Sequence, residues 1–382
     1  VLASLVSASG EAILKSITVD YGKRLADEPG KGHNRWHEAL APIIEVAPGE
    51  ELEIQTRDAF DGQITPATTA EDLRQCDLNR VHPLTGPVFV AGAAPGDLLE
   101  VEICDMKAAG FAYTVQVPGF GFLRDAFPEP YIAKWTIKDG FAQSADLPGV
   151  RIPDGSFVGV IGVAPSKTLR ETIQRREASL LSRGGMVLPP EAHGAVPASE
   201  PIASEALRTI PPRENGGNLD IKQLSKGARL MLPVFVDGAL FSVGDAHFAQ
   251  GDGEACGTAI EMAGAIVVRF MVHKGEAEHR SIRFPRFARD DYYYPPELAA
   301  PKRFLATTGL SIREDGTNES EDATLSARNA LLAMIDLLVE RGWTRQQAYA
   351  ICSVAVDLKL SELVDVPNLV VSAFLPLDIF GQ

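Results

Sequence analysis

Hydrophobic and polar positions alternate along most of this chain in short bursts rather than in long helical stripes. Ile43-Ile44-Glu45-Val46 runs into a Pro48-Gly49 turn, and Glu51-Leu52-Glu53-Ile54 alternates after it, the pattern of strands with one face buried. Gly86-Pro87-Val88-Phe89-Val90 leads to a turn at Ala94-Pro95-Gly96-Asp97 and then to Leu98-Leu99-Glu100-Val101-Glu102-Ile103. The cadence PVFVxGA followed by GD returns at Pro233–Ala239 and Gly244-Asp245. It fits either a duplicated β unit or two strand–turn–strand segments that look alike by chance. Helical spacing is rarer. Ser166–Gly184 is polar and ends on Gly184-Gly185, Ser326–Arg341 is amphipathic and ends on Gly342, and Thr344 is placed to cap a helix over Arg345–Val356.

Composition sharpens this picture. In 382 residues, 34 glycines and 26 prolines favour many short strands and tight turns over long helices, so a mainly β (α+β) fold is expected. Apolar residues at 45% and charged residues at 23% are globular values. Three segments are expected: a β-rich half over 1–165, a second β-rich half over 166–285, and a helical and β segment over 286–382, with no clean linker between them. Leu188–Arg213, rich in Pro, Ala and Ser, reads as a surface excursion, and Asp290–Pro296 as an exposed corner.

Charge and cysteine content narrow the partners. Thirty-six Lys+Arg against 51 Asp+Glu leave a net charge of −15, a field that repels phosphate backbones and anionic lipid. Nucleic acid and membrane are therefore not expected as partners. No run approaches the ~18 apolar residues of a membrane span. The first ten residues carry no Lys or Arg, unlike the basic start of a secretory signal, and four scattered cysteines without a CxxC pair suit a reducing compartment. A cytoplasmic protein is expected.

The densest polar text is Gly216–Asp220 (GGNLD) with Gly244–Glu254 (GDAHFAQGDGE). Asp245 and His247 lie two apart and would share a face of an extended strand, between the apolar Ala246 and Phe248. Glu254 follows a GDG turn that folds the chain back toward them, with Asp252 inside it. Carboxylates with one imidazole suit a divalent ion, Zn²⁺ first and Ca²⁺ or Mg²⁺ as alternatives. The competing reading is a common hairpin turn in which Asp beside Gly serves only geometry. A second cluster, His33-Asn34-Arg35-Trp36-His37, reads as a loop of structural or entrance duty, and Cys256 as a packed thiol. No GxxxxGK[ST], HExxH or GxSxG pattern is present.

Together HNRWH, DAFDGQI, VHPLTGPVFVAGAAPGDLLEVEI, GVIGVAPS, GGNLDIKQLSKGARLMLPVFVDGALFSVGDAHFAQGDGE and VAVDLKLSELVDVPNLVVSAFLP resemble the acetamidase/formamidase family, most closely its longer formamidase branch. The resemblance implies hydrolysis of a short, neutral aliphatic amide, formamide first, to ammonia and the acid. It also implies jelly-roll-like β-sandwich or barrel units and a homo-oligomer. Such chemistry would place a divalent ion on Asp220, Asp245 and His247, with Glu254 as general base and Asn218 donating to the oxyanion. Glu261 is the runner-up base, and His82, Asp61 and Asp252 are the reserve ligands. Trp36 and Phe248 are candidates for the wall of a small, tight pocket. The alternatives are a metal-free amidase and a β-sandwich protein that binds a small molecule, or only a structural Ca²⁺, without catalysis.

Overall fold

The computed structural model describes residues 14–290, 301 and 303–381. The fold is mainly β, as the turn-rich composition predicts. Its backbone is the long antiparallel pair Leu98–Gln116 and Glu261–His273, which runs from Glu261 opposite Tyr113 to His273 opposite Leu98 with register shifts after Met262 and Val267. Glu51–Thr56 pairs with the other edge of Glu261–His273. Phe241–His247 continues the sheet beside Glu261, Phe157–Gly162 follows it, and Gly216–Asn218 comes next. One sheet thus runs through strands on both sides of residue 165.

The two PVFV segments are bonded to each other. Val90 N donates to Gly238 O at 2.9 Å and Gly238 N to Ala93 O at 2.8 Å. Val234 N donates to Asp97 O at 2.9 Å and Gly96 N to Val234 O at 3.1 Å. The strand entering each motif pairs with the strand leaving the other: Leu84–Val90 with Phe241–His247, and Ala228–Pro233 with Leu98–Gln116. This reciprocity buries Val88, Val90, Val234 and Phe241 in one apolar core.

Helices form where caps and stripes coincide. Ser166 Oγ accepts from Leu169 N ahead of Lys167–Ser182, and Gly184 at φ +83° lets the chain turn away after it. The helix Ala323–Glu340 begins three residues before Ser326 because the Asp322 carboxylate caps Leu325 N at 2.9 Å. Thr344 and Gln347 form a capping box for Arg345–Ala355. These two helices pack on a three-stranded sheet of Phe304–Leu310, Val370–Pro376 and Asp357–Glu362.

The stretch 188–213 is a surface excursion only in part: most of 188–205 is exposed or half-buried, whereas its C-terminal end enters the fold. Leu207–Arg208 pairs with Arg35–Trp36, and Leu207, Arg208, Thr209 and Arg213 are buried. The reason lies in HNRWH. The buried Arg35 guanidinium needs acceptors, and the carbonyls of Glu191 (2.9 Å) and His193 (3.1 Å) supply them. The corner at 290–296 lies, after Asp290, outside the described residues. Among those residues no helix is long and apolar enough to cross a membrane.

One tyrosine ties the C-terminal helices to the sheet. Tyr349 stacks on Phe127 with ring centroids 4.3 Å apart, and its hydroxyl accepts from Leu123 N at 2.8 Å while donating to Ala255 O. Tyr349→Phe leaves Leu123 N buried and unpaired and removes one of the two donors to Ala255 O, which keeps Phe122 N at 3.0 Å. A loss of about 1–3 kcal/mol is expected in urea unfolding, and a loss below about 0.5 kcal/mol would show that this tie is idle.

Candidate active site

Three strands of the central sheet bring the site together at their ends, with Phe157–Gly162 lying between the first two. Gly216–Asn218 delivers Asp220 just past its end, Phe241–His247 carries Asp245 and His247, and Glu261–His273 opens with Glu261. His247 and Glu261 are direct cross-strand partners, so their side chains share a face. Glu254 arrives from the turn after Gly251, whose carbonyl accepts from Glu254 N at 3.1 Å. Asp220, Asp245 and Glu254 all take left-handed backbone, at φ of 48°, 60° and 42°. Such non-glycine conformations cost about 1–3 kcal/mol each and gather at functional sites.

The opposing residue that permits this convergence is Gly159. Its carbonyl accepts from Leu219 N and Asp220 N at 2.9 and 3.3 Å. A Cβ there would lie 2.5 Å from Asp245 Oδ2, 2.9 Å from His247 Cε1 and closer still to Asp220 Oδ1. No side chain fits between the acids.

His247 Nε2 lies 3.2 Å from Asp245 Oδ1 and 3.1 Å from Glu261 Oε2. These contacts lack hydrogen-bond geometry, and all three atoms are buried without a partner, as is Asp220 Oδ1. On the other side of the ring, Nδ1 sits 3.1 Å from Gln250 Oε1, whose own amide nitrogen donates to Asp220 O at 2.8 Å. The Gln250 oxygen therefore accepts from Nδ1–H, and a neutral His247 turns the Nε2 lone pair toward the carboxylates. Phe157 packs edge-on against the ring at 5.0 Å.

The charges bear out the crowding. Burial, and then the charge of Asp245, push Asp220 up to about 7. Burial raises Glu261 to about 8 despite the imidazole beside it, and with the Asp220 charge it holds Glu254 well above the carboxylate range. Asp245 is depressed: burial would raise it, but His82 and His247 outweigh that. His247 is raised, because Glu261 and Asp245 overcome the cost of burying a cation. The cluster demands positive charge, and buried carboxylates without it are costly. Asp220, Asp245 and His247 form one group with metal-ligand spacing, and His247, Glu254 and Glu261 form another, each within 4.8 Å. Orphaned ligand atoms and a glycine cradle are what a divalent ion fits.

A cavity of about 450 Å³ opens onto this cluster, with His82, Asn218, Asp220, Asp245, Glu254 and Glu261 on its lining. His82 Nε2 lies 3.9 Å from Asp245 Oδ2, and Asn218 Oδ1 is buried without a partner. Other candidates lie elsewhere. Asp61 accepts from Leu25 N at 2.7 Å and anchors a loop. Asp252 accepts from Gln223 Nε2 at 3.2 Å on the far side of its turn, beside Lys222 and Asp357. Trp36 packs against His33, and Phe248 belongs to the main core; neither lines the cavity. The buried Cys256 thiol is pushed up by burial and is likewise off the lining. The pocket is also larger than the tight one expected for formamide.

A sequence profile of the Acetamidase/Formamidase family matches residues 18–382. The chain belongs to that family. It is 35% identical to a formamidase of Methylophilus methylotrophus, covering 95% of this chain and 93% of that one. It is 37% identical to an acetamidase of Mycolicibacterium smegmatis, covering 87% and 88%. Among solved structures, a gamma lactamase from Delftia acidovorans superposes with a TM-score of 0.91 at 36% identity, over 96% of this chain and 94% of that one.

Within this family site, Gly159 and Gln250 are the residues that sequence reasoning missed. Gly159 sits in the GVIG stretch of a strand, where its glycine carries no chemical signal, and Gln250 is hidden in the spacing between His247 and the GDG turn. Gly159→Ala is expected to lower turnover by about two orders of magnitude while circular dichroism stays that of the wild type. Turnover within about twofold of wild type would contradict the packing of the acids against this glycine.

Proposed function

We propose that this chain hydrolyses the C–N bond of carboxamides at the buried acid–histidine centre. The observation that carries the reading is the convergence of Asp220, Asp245, His247 and Glu261 with their inner atoms unpartnered. Family membership supplies the reaction class: the relatives are a formamidase, an acetamidase and a gamma lactamase.

Amide resonance makes the carbonyl a weak electrophile, and the amine leaves only when protonated. The site must therefore polarise oxygen, deprotonate water and deliver a proton to nitrogen. Asp220, Asp245 and His247 would hold a divalent ion, with Zn²⁺ favoured by the imidazole and Ca²⁺ or Mg²⁺ the alternatives. Such an ion, when bound, supplies Lewis acidity and offsets the carboxylate charge. Glu254, on the cavity lining, takes the proton from water and hands it to the departing nitrogen. Asn218 donates to the oxygen as it gains charge, a contact worth about 3 kcal/mol when well placed. Gln250 fixes the His247 tautomer, Glu261 orients the ring from the opposite strand, and His82 steadies the charge of Asp245.

The reading extends to a cytoplasmic homo-oligomer. Its four cysteines are free, and Leu360, Val364 and Val366 leave apolar surface available to a second copy.

Ammonia release from formamide, acetamide, propionamide and urea tests the reaction directly. Glu254→Gln is expected to lower kcat about a thousandfold with folding intact, and near-wild-type rates would remove Glu254 from the chemistry. Chelation is expected to abolish turnover, with recovery on adding Zn²⁺. Full activity in protein shown by elemental analysis to be metal-free would defeat the Lewis-acid part alone.

A further inference from the structure

The floor of the cavity is polar and its wall is not. Above the acids the lining passes to Phe60, Val81, Phe120, Phe122, Ile210 and Pro212. Arg124, the one arginine or lysine among the described lining residues, is exposed and donates to Gly121 O at 3.3 Å, leaving the wall apolar. At about 450 Å³ the space falls in the range of pockets that hold drug-sized ligands, and formamide would fill a small part of it.

This wall is built into the fold. Phe60 and Val81 belong to a buried cluster with Tyr113 and Val115, and Phe120 and Ile210 pack against the same cluster. The loop bearing Phe120 and Phe122 is fixed at three points. Phe120 N donates to Val117 O at 3.0 Å, Phe122 N to Ala255 O at 3.0 Å, and Leu123 N to the Tyr349 hydroxyl at 2.8 Å. Gly257, at φ +90°, lies so close that a Cβ would meet Phe120 Cδ1 at 2.6 Å. A preformed apolar chamber is an expensive surface to leave wet, and a formyl or acetyl group covers little of it.

We propose that this chamber takes the acyl part of a bulkier carboxamide, an uncharged aliphatic or aromatic acyl group of about four to seven carbons. The preferred substrate is thus larger than formamide or acetamide, and Phe120, Phe122 and Ile210 set the selectivity. The inference rests on the hydrolase reading of the same centre.

The test is kcat/KM for acetamide, propionamide, butyramide, hexanamide and benzamide on the wild-type protein. The expected rise is about fourfold per buried methylene, until the chamber is full. Ile210→Trp, which fills the chamber, is expected to lower the hexanamide-to-acetamide ratio at least about tenfold. A flat or falling series, an unchanged ratio in the variant, or preference for succinamate over butyramide overturns the proposal. Should no amide be turned over, the hydrolase reading fails, and calorimetry of the same amides still decides the chamber. Affinity rising with acyl length supports it, and no binding of hexanamide or benzamide overturns it.

Discussion

Packing four carboxylates around one buried imidazole is the constraint from which the rest of the site follows. Asp220, Asp245, Glu254 and Glu261 cannot all be charged at this depth without a compensating cation. The raised positions of Asp220, Glu254 and Glu261 and the depressed Asp245 show how protons alone would share the burden. A divalent ion resolves the same conflict with one charge centre, and the inner atoms of Asp220, Asp245, His247 and Glu261 are the ones left without hydrogen bonds. Removing the imidazole or filling the Gly159 cradle strikes at this balance rather than at a single contact.

Holding such a cluster takes a scaffold that does not yield. The central sheet fixes His247 opposite Glu261 by register, and Gly159 ties the Leu219–Asp220 backbone to the neighbouring strand. Behind the site, buried Lys222 pairs with Asp357, whose carboxylate also accepts from Asp252 N at 3.0 Å. That bridge joins the loop after Asp220, the turn before Glu254 and the segment following the last helix. Tyr349 fastens the opposite side through Leu123 and Ala255, so the C-terminal helices brace both the acidic turn and the wall loop. The left-handed backbone at Asp220, Asp245 and Glu254 is tolerated because these ties leave few alternatives.

Much of this was legible from residue order, and the exceptions have physical causes. Alternation marks the strands, and Thr344 marks a helix start because capping is a local interaction. The DxH pair stands out among apolar neighbours, and Glu254 by the GDG turn before it. A shared strand face for Asp245 and His247 requires regular extended backbone, whereas Asp245 takes φ +60°. Trp36 and Phe248 were misplaced because an aromatic in the core and one on a pocket wall look alike in sequence. The anchoring of 188–213 is invisible in residue order because Glu191 and His193 hold Arg35 through backbone carbonyls, which side-chain patterns do not record. Gly159 and Gln250 act through long-range approach, so only the folded chain reveals them.

Anomalous diffraction from crystals of catalytically active protein, collected across metal absorption edges, tests directly whether a divalent ion balances the buried acids. A single strong peak is expected in contact with Asp220, Asp245 and His247, at the floor of the apolar chamber. Active crystals with only water-level density among those side chains would contradict it.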